Sequence, residues 1–268
     1  MDYFRVVCED AARRGGQVLR EMAGEVNPRE KAPKDLVTEA DFASQEAIRQ
    51  VIANAFPDHG FLGEEDLENT SALKQSARPD ASGTSTYCWV VDPLDGTLNY
   101  ARQLPNYSVS VALRHGDRVV CGVVYDPVLD ECFAAQLHGG AVLNGKRIQP
   151  SACARMDQSL VAVSLAAEIH PDSKESERLV SVMCRAQSIR RMGSAALNLC
   201  YVATGRLDAY WTTSVKIWDV AAGQLIVTEA GGTVSRPDGT VFDLDRPHLV
   251  AAATVELHGE LVELFGRG

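Results

Sequence analysis

The sequence predicts a mixed α/β chain of the α+β kind, one large unit or two fused layers, and three observations carry that reading. Apolar residues recur at helical spacing near the N-terminus and again after Thr38. Two short apolar runs, Phe61-Leu62-Gly63 and Trp89-Val90-Val91, end abruptly on acids, as buried strands leading to a site do. Between residues 107 and 145 apolar and polar residues alternate between turn signals, the pattern of an antiparallel meander. A chain of 268 residues can bury a substantial core, and 46% hydrophobic with 23% charged residues is ordinary for a globular protein.

The elements follow in order. Phe4, Val7, Ala11, Val18, Leu19 and Met22 define a first helix from Asp2 to Met22, weakened at its centre by Gly15-Gly16. Residues 27–35 are polar with two prolines and read as a loop whose Lys31 and Lys34 are solvated. Thr38 is an N-cap with Asp41 at the third helical position, and Ala43, Ala47, Ile48, Val51 and Ile52 carry that helix toward Pro57. On its own, Asp41 is an acid favoured in a first turn by the helix dipole. Glu64 and Glu65 follow the strand at 61–63 and would pass for a solvated loop start. Residues 66–86 lack periodicity and read as a long surface loop or lid.

Past the centre, the alternating run at 107–113 turns at His115-Gly116-Asp117 into 119–124, then at Asp126-Pro127 into 131–135, and Asn144-Gly145 signals a further hairpin. A strand at 160–165 precedes a helix through 176–185 that turns Leu179, Val182 and Met183 inward, and residues 188–192 are short and extended. Gly193-Ser194 opens a helix that Gly205 terminates, leaving its N-terminus free to meet a polar ligand. A strand at 207–211 follows, and Ile217-Trp218 then reads as an apolar strand becoming a helix at Asp219, an N-cap by position. That helix stops at Gly231-Gly232; strands at 233–235 and 249–253 and a helix around 255–265 complete the core. No repeat or interdomain linker interrupts the chain.

Composition narrows function. A formal charge of -10 argues against nucleic-acid binding, which depends on Lys and Arg neutralising phosphates. A phosphorylated ligand would need local positive charge, which divalent cations supply. The seven cysteines are odd in number, scattered and free of CxxC pairs, pointing to reduced thiols. With no signal-peptide pattern and no 18-residue apolar run, a soluble cytoplasmic protein without a membrane partner is expected.

The most informative stretch is WVVDPLDGTLNY at 89–100. Asp92 and Asp95 lie at the end of an apolar strand, where buried carboxylates require a cation or capping donors. Pro93 withholds a ladder donor, Gly96 permits a tight turn, and Thr97 starts a short helix. A metal on Asp92 and Asp95 could meet a phosphate on the amides of Gly96 and Thr97, although an isolated DxxDG is also a turn with an acidic cap. Glu64, Asp92, Asp95, Asp219 and Asp41 share one placement at element ends, and an all-oxygen donor set selects Mg²⁺ or Mn²⁺. The six histidines lie outside these acidic motifs, which disfavours zinc.

GEE at 63–65, DPLDGT at 92–97, WDVAAG at 218–223, DLVTEAD at 35–41 and EAGG at 229–232 closely resemble, in order and over nearly the whole chain, the signatures of the inositol monophosphatase family of Mg²⁺-dependent phosphatases. The resemblance implies a layered α-β-α-β-α sandwich with one mixed and one largely antiparallel sheet. It implies a single catalytic unit over 1–268, with closely packed sub-layers at about 1–150 and 151–268, commonly a homodimer. It places one metal on Glu64, Asp92 and the Leu94 carbonyl, a second on Asp92, Asp95 and Asp219, and a weaker third near Glu64 and Glu65. Asp41 and Thr97 would orient and deprotonate the attacking water, with Glu65 assisting through solvent, and the amides of Gly96 and Thr97 would hold the phosphate. Substrate contacts would come from Asp95, Gly193, Ser194, Ala195, Thr212 and Asp219, and lithium would inhibit through the second metal position.

One departure concerns the substrate. Inositol-specific relatives carry an acid on the strand before WD that contacts ring hydroxyls; here the segment is Trp211-Thr212-Thr213-Ser214-Val215-Lys216, with Thr212 the nearest equivalent. A neutral hydroxyl in its place weakens polyol binding. Inositol phosphate or a related sugar or polyol phosphate, histidinol phosphate, fructose bisphosphate and nucleotide 3'(2'),5'-bisphosphates are the substrates this core suggests. A non-catalytic relative that binds RNA machinery is the reading from another class.

Overall fold

The computed structural model describes residues 2–32, 35–66 and 86–266. Of the stretch read above as a loop or lid, residues 67–85 lie outside the described residues, as does Lys34.

Helix α1 (Asp2–Met22) runs unbroken through its glycine pair. A Cβ on Gly15 would stand 2.7 Å from Ile48 Cδ1, and one on Gly16 would stand 2.5 Å from the Tyr125 ring. The two residues that weaken the helix therefore let it close on helix α2 (Glu39–Ala55) and on the sheet beneath. Residues 27–35 are not all loop: β1 (Arg29–Ala32) and β2 (Asp35–Val37) pair antiparallel, with an irregularity between Glu30 and Ala32.

The larger sheet is ordered β3 to β9, each strand beside its neighbour in sequence. Its strands are β3 (Gly60–Gly63), β4 (Tyr87–Asp95), β5 (Ser108–His115), β6 (Arg118–Asp126), β7 (Glu131–Gln136), β8 (Gly140–Leu143) and β9 (Lys146–Arg147). The β3–β4 pair is parallel and every later pair antiparallel, so the meander read from the alternation is present. A short helix α3 (Thr97–Ala101) follows β4.

The second sheet contains β10 (Leu160–Ser164), β11 (Ser188–Arg190), β12 (Ala209–Thr212), β13 (Thr233–Ser235) and β14 (Leu249–Ala252), in the order β11-β10-β12-β14-β13. Its first three strands are parallel and the rest antiparallel. Helices α5 (Ala195–Ala203) and α6 (Ile217–Ala230) lie between the sheets, while α4 (Lys174–Arg185) and α7 (Val255–Gly266) cover the far side of the second sheet. The result is the α-β-α-β-α sandwich, with one apolar core on both sides of the central helices and one beneath each outer helical layer.

Two expectations change. Met183 faces out at 55% exposure, and Val182 is the buried residue of α4. Ile217 and Trp218 form the first turn of α6 and no strand, which places Asp219 at its third position. All seven cysteines are free, and no helix among the described residues is long and apolar enough to cross a membrane.

Candidate functional site

The site is assembled at the end of β4. Asp92 pairs with Ser110 and Asp95 with Ser108, so β4 carries an extra residue between them. Pro93, lacking an N–H, sits in that irregularity without breaking a ladder bond. The bulge aims both carboxyls toward the same end of the sheet, where the Pro93 carbonyl accepts a hydrogen bond from Ser44 Oγ at 2.9 Å. Asp92 is 2% exposed, and the Leu94 amide donates to its Oδ1 at 3.0 Å. Glu64, from the end of β3, and Asp219, from the first turn of α6, stand near enough to Asp92 for their charges to raise its pKa. Buried carboxyls so placed require a shared proton or a cation.

The pKa shifts carry the same signature. Burial and then the charges of Glu64, Asp95 and Asp219 push Asp92 well above its usual range. Burial followed by Asp95 and Glu64 does the same for Asp219, and burial raises Glu64 against the pull of Lys31. Asp95 is pushed up to about 6 by burial, opposed by three hydrogen bonds from the start of α5. Ser194 Oγ donates to it at 2.6 Å, the Ala196 amide at 2.7 Å and the Ala195 amide at 3.2 Å. The N-terminus of α5, expected to be free for a ligand, is thus occupied by Asp95, and the fully buried Ser194 supports that acid from behind.

Asp41 stands at the third position of α2, as its spacing from Thr38 predicts. Its Oδ2 accepts from the Thr38 amide at 2.8 Å and from Thr38 Oγ1 at 2.7 Å. Its Oδ1 lies 3.2 Å from Thr97 Oγ1, which also reaches the Leu94 carbonyl at 3.1 Å. Burial pushes Asp41 up to about 6 despite the Thr38 bonds, with the Glu65 charge adding to the rise. Asp219 repeats the motif on α6, accepting from the Lys216 amide at 2.8 Å. Gly96 has φ +103°, and a Cβ there would meet the Asn106 carbonyl at 3.0 Å, so glycine is required where β4 turns into α3. The amides of Gly96 and Thr97 open that helix.

Lys31, expected to be solvated, is exposed but also paired with two acids. Its Nζ donates to Glu64 Oε1 at 2.7 Å and Glu65 Oε1 at 2.9 Å. Burial works against its charge, but the two carboxylates outweigh that and hold the ammonium above its usual range. Among the described residues no three His, Cys, Asp or Glu side chains surround one point as a ready metal cage. The acids adjoin pairwise and Lys31 neutralises one edge. The donor set still fits a hard divalent cation: all oxygen, buried, and crowded with like charge that such an ion relieves.

A cavity of about 520 Å³ opens beside the acids, and Glu64, Asp95 and Asp219 line it. Gly193 and Ala195 lie on its wall. Thr212 is fully buried, accepts from the Ser214 amide at 3.3 Å, and leaves the wall to Thr213 and Ser214. Sequence reasoning passed over Arg191, Lys216 and His248, which also line it, and over Asn99. Asn99 Nδ2 donates to the Asn106 and Met192 carbonyls at 2.7 and 2.8 Å, tying α3 to the loop before Gly193. The lone basic residues gave no motif; the only signal for Arg191 and Lys216 was closeness in sequence to Gly193 and Asp219, and His248 had none.

Two sheets between three helical layers, with five acids from four elements drawn together beside one cleft, define a class of layered α/β proteins with a carboxylate-lined site. A description of the Inositol monophosphatase family matches residues 1–267. The chain is 39% identical over 247 residues to Nus factor SuhB of Pasteurella multocida, covering 91% of this chain and 88% of that one. It is 36% identical to inositol-1-monophosphatase of Mesorhizobium japonicum, covering 93% and 91%. The crystal structure of suhB from Bartonella henselae superposes with a TM-score of 0.87 at 33% identity, covering 98% of both chains. Inositol monophosphatase from Anabaena does so with a TM-score of 0.83 at 32% identity, covering 100% and 96%. The chain belongs to the inositol monophosphatase family.

Proposed function

We propose that this chain, acting as one catalytic unit over 1–268, hydrolyses a small phosphate monoester with Mg²⁺ and releases inorganic phosphate. The observation that carries the reading is the grouping of Glu64, Asp95 and Asp219, which line one cleft, around the buried Asp92, with Asp41 and Thr97 joined close by. Glu64, Asp92, Asp95, Asp219 and the Leu94 carbonyl would hold the cations, which supply an acidified water and charge neutralisation when bound. Asp41, with a pKa of about 6, suits acceptance of a proton relayed through the Thr97 hydroxyl. The Gly96 and Thr97 amides would receive the phosphate and Glu65 would assist through solvent. Gly193 and Ala195 would lie against the alcohol portion, and Ser194 would steady Asp95.

Phosphate release from small esters with Mg²⁺ and with EDTA tests this. Mg²⁺-dependent turnover that Asp92→Asn and Asp219→Asn each abolish is expected; turnover retained in either variant refutes the assignment. Some relatives bear the name Nus factor SuhB, and a binding role without turnover is the alternative that the same assay decides.

A further inference from the structure

The cavity wall carries groups of both charges. Besides the acids it is lined by Arg191, three residues before the Ser194 cap, Lys216, immediately before α6, and His248, immediately before β14. Neither Arg191 nor Lys216 pairs its charged head with an acid among the described residues, although Arg49, Arg206 and Lys31 each do so elsewhere. Both side chains are exposed to the cavity mouth.

The surroundings agree. His248 is held below its usual range by burial and then by the Arg236 cation, with Lys216 adding to it and Glu175 opposing. Glu175 is committed to its own loop, accepting from the Ala166 amide at 3.1 Å and Thr213 Oγ1 at 2.7 Å. Among the described lining residues the acids are Glu64, Asp95 and Asp219, already assigned to the cations; Thr212 is fully buried and the wall residues that follow it are Thr213 and Ser214. In a chain of net charge -10, two uncommitted cations at a cleft mouth focus a local field that attracts anions.

We propose that this wall is a subsite for a second anionic group, phosphate or carboxylate, on the alcohol portion of the ester, so that anionic alcohols and not neutral polyols are the preferred leaving groups. The assignment rests on the phosphatase reading above and makes Arg191 and Lys216 determinants of specificity.

Matched pairs of esters test it. 3-Phosphoglycerate and glycerol 3-phosphate differ by a carboxylate, and fructose 1,6-bisphosphate and fructose 1-phosphate by a phosphate. The kcat/KM ratio within each pair, measured with Mg²⁺, is expected to favour the anionic member about ten-fold or more, the value of one charge-assisted hydrogen bond. Arg191→Gln and Lys216→Gln are each expected to lower that ratio about ten-fold, mainly through KM. The pair with the larger ratio identifies the group bound. Ratios near one in both pairs, or ratios unmoved by both substitutions, overturn the subsite and leave the phosphatase reading standing. No phosphate release from any of the four esters removes the phosphatase reading and this proposal with it.

Discussion

Replacing Asp41 by Asn is expected to stabilise the metal-free chain above neutral pH while sharply reducing turnover. The side chain is 1% exposed, and burial raises its pKa from 3.8 to about 6. A carboxyl whose folded value exceeds its unfolded one holds its proton more tightly in the folded state. Its contribution to stability is therefore complete below about pH 4 and is lost as the pH rises through about 6. A rise of this size corresponds to about 3 kcal/mol at pH 8. Asn does not ionise and suits the hydrogen bonds already present. Its oxygen can accept from the Thr38 amide and hydroxyl, and its NH₂ can donate to Thr97 Oγ1, which turns to the Leu94 carbonyl. The expected result in EDTA is a Tm gain of about 6–10 °C at pH 8 and almost none at pH 4. Loss of a general base should lower kcat about 10²–10⁴-fold. A destabilised variant at pH 8, or an equal gain at both pH values, would refute the account of Asp41 as a carboxyl held under strain.

Three further outcomes follow from the packing and the charges. Lys31→Met removes the ammonium shared by Glu64 and Glu65, and the Mg²⁺ concentration giving half-maximal thermal stabilisation should fall about five-fold; an unchanged or higher midpoint would show that Lys31 and the cation do not compete. Gly16→Ala should lose about 1–2 kcal/mol in urea denaturation because its Cβ would enter the buried Tyr125 ring. Gly259→Ala, in the interior of α7 with nothing within 4 Å, should instead gain about 0.5–1 kcal/mol, and equal effects would refute the contact argument. Glu229→Ala should lose about 1–2 kcal/mol, because Glu229 accepts from the His138 and Gly140 amides at 2.8 and 2.7 Å. It should leave kcat within about two-fold, since the residue lies at the far end of α6 from Asp219, about 15 Å along the axis; a larger fall would give this motif a part in catalysis.

Local chemistry determined much of this protein from sequence alone. The Thr38 cap with Asp41, the alternation in the meander, the turn at Asn144-Gly145 and the glycine at 96 each act through neighbours a few residues away, and each element lies where those signals place it. The acids were legible as a set because all stand at element ends. What depended on distant partners was not legible. Lys31 is drawn from a loop reading into a hairpin beside Glu64 and Glu65, more than thirty positions away, and Asp95 fills the α5 terminus across 99 positions. Gly15-Gly16 looked like a helix weakness until Ile48 and Tyr125 came within reach. Residue type and spacing specify what a segment can do, whereas which charge meets which, and which face of α4 is covered, depend on the path of the whole chain.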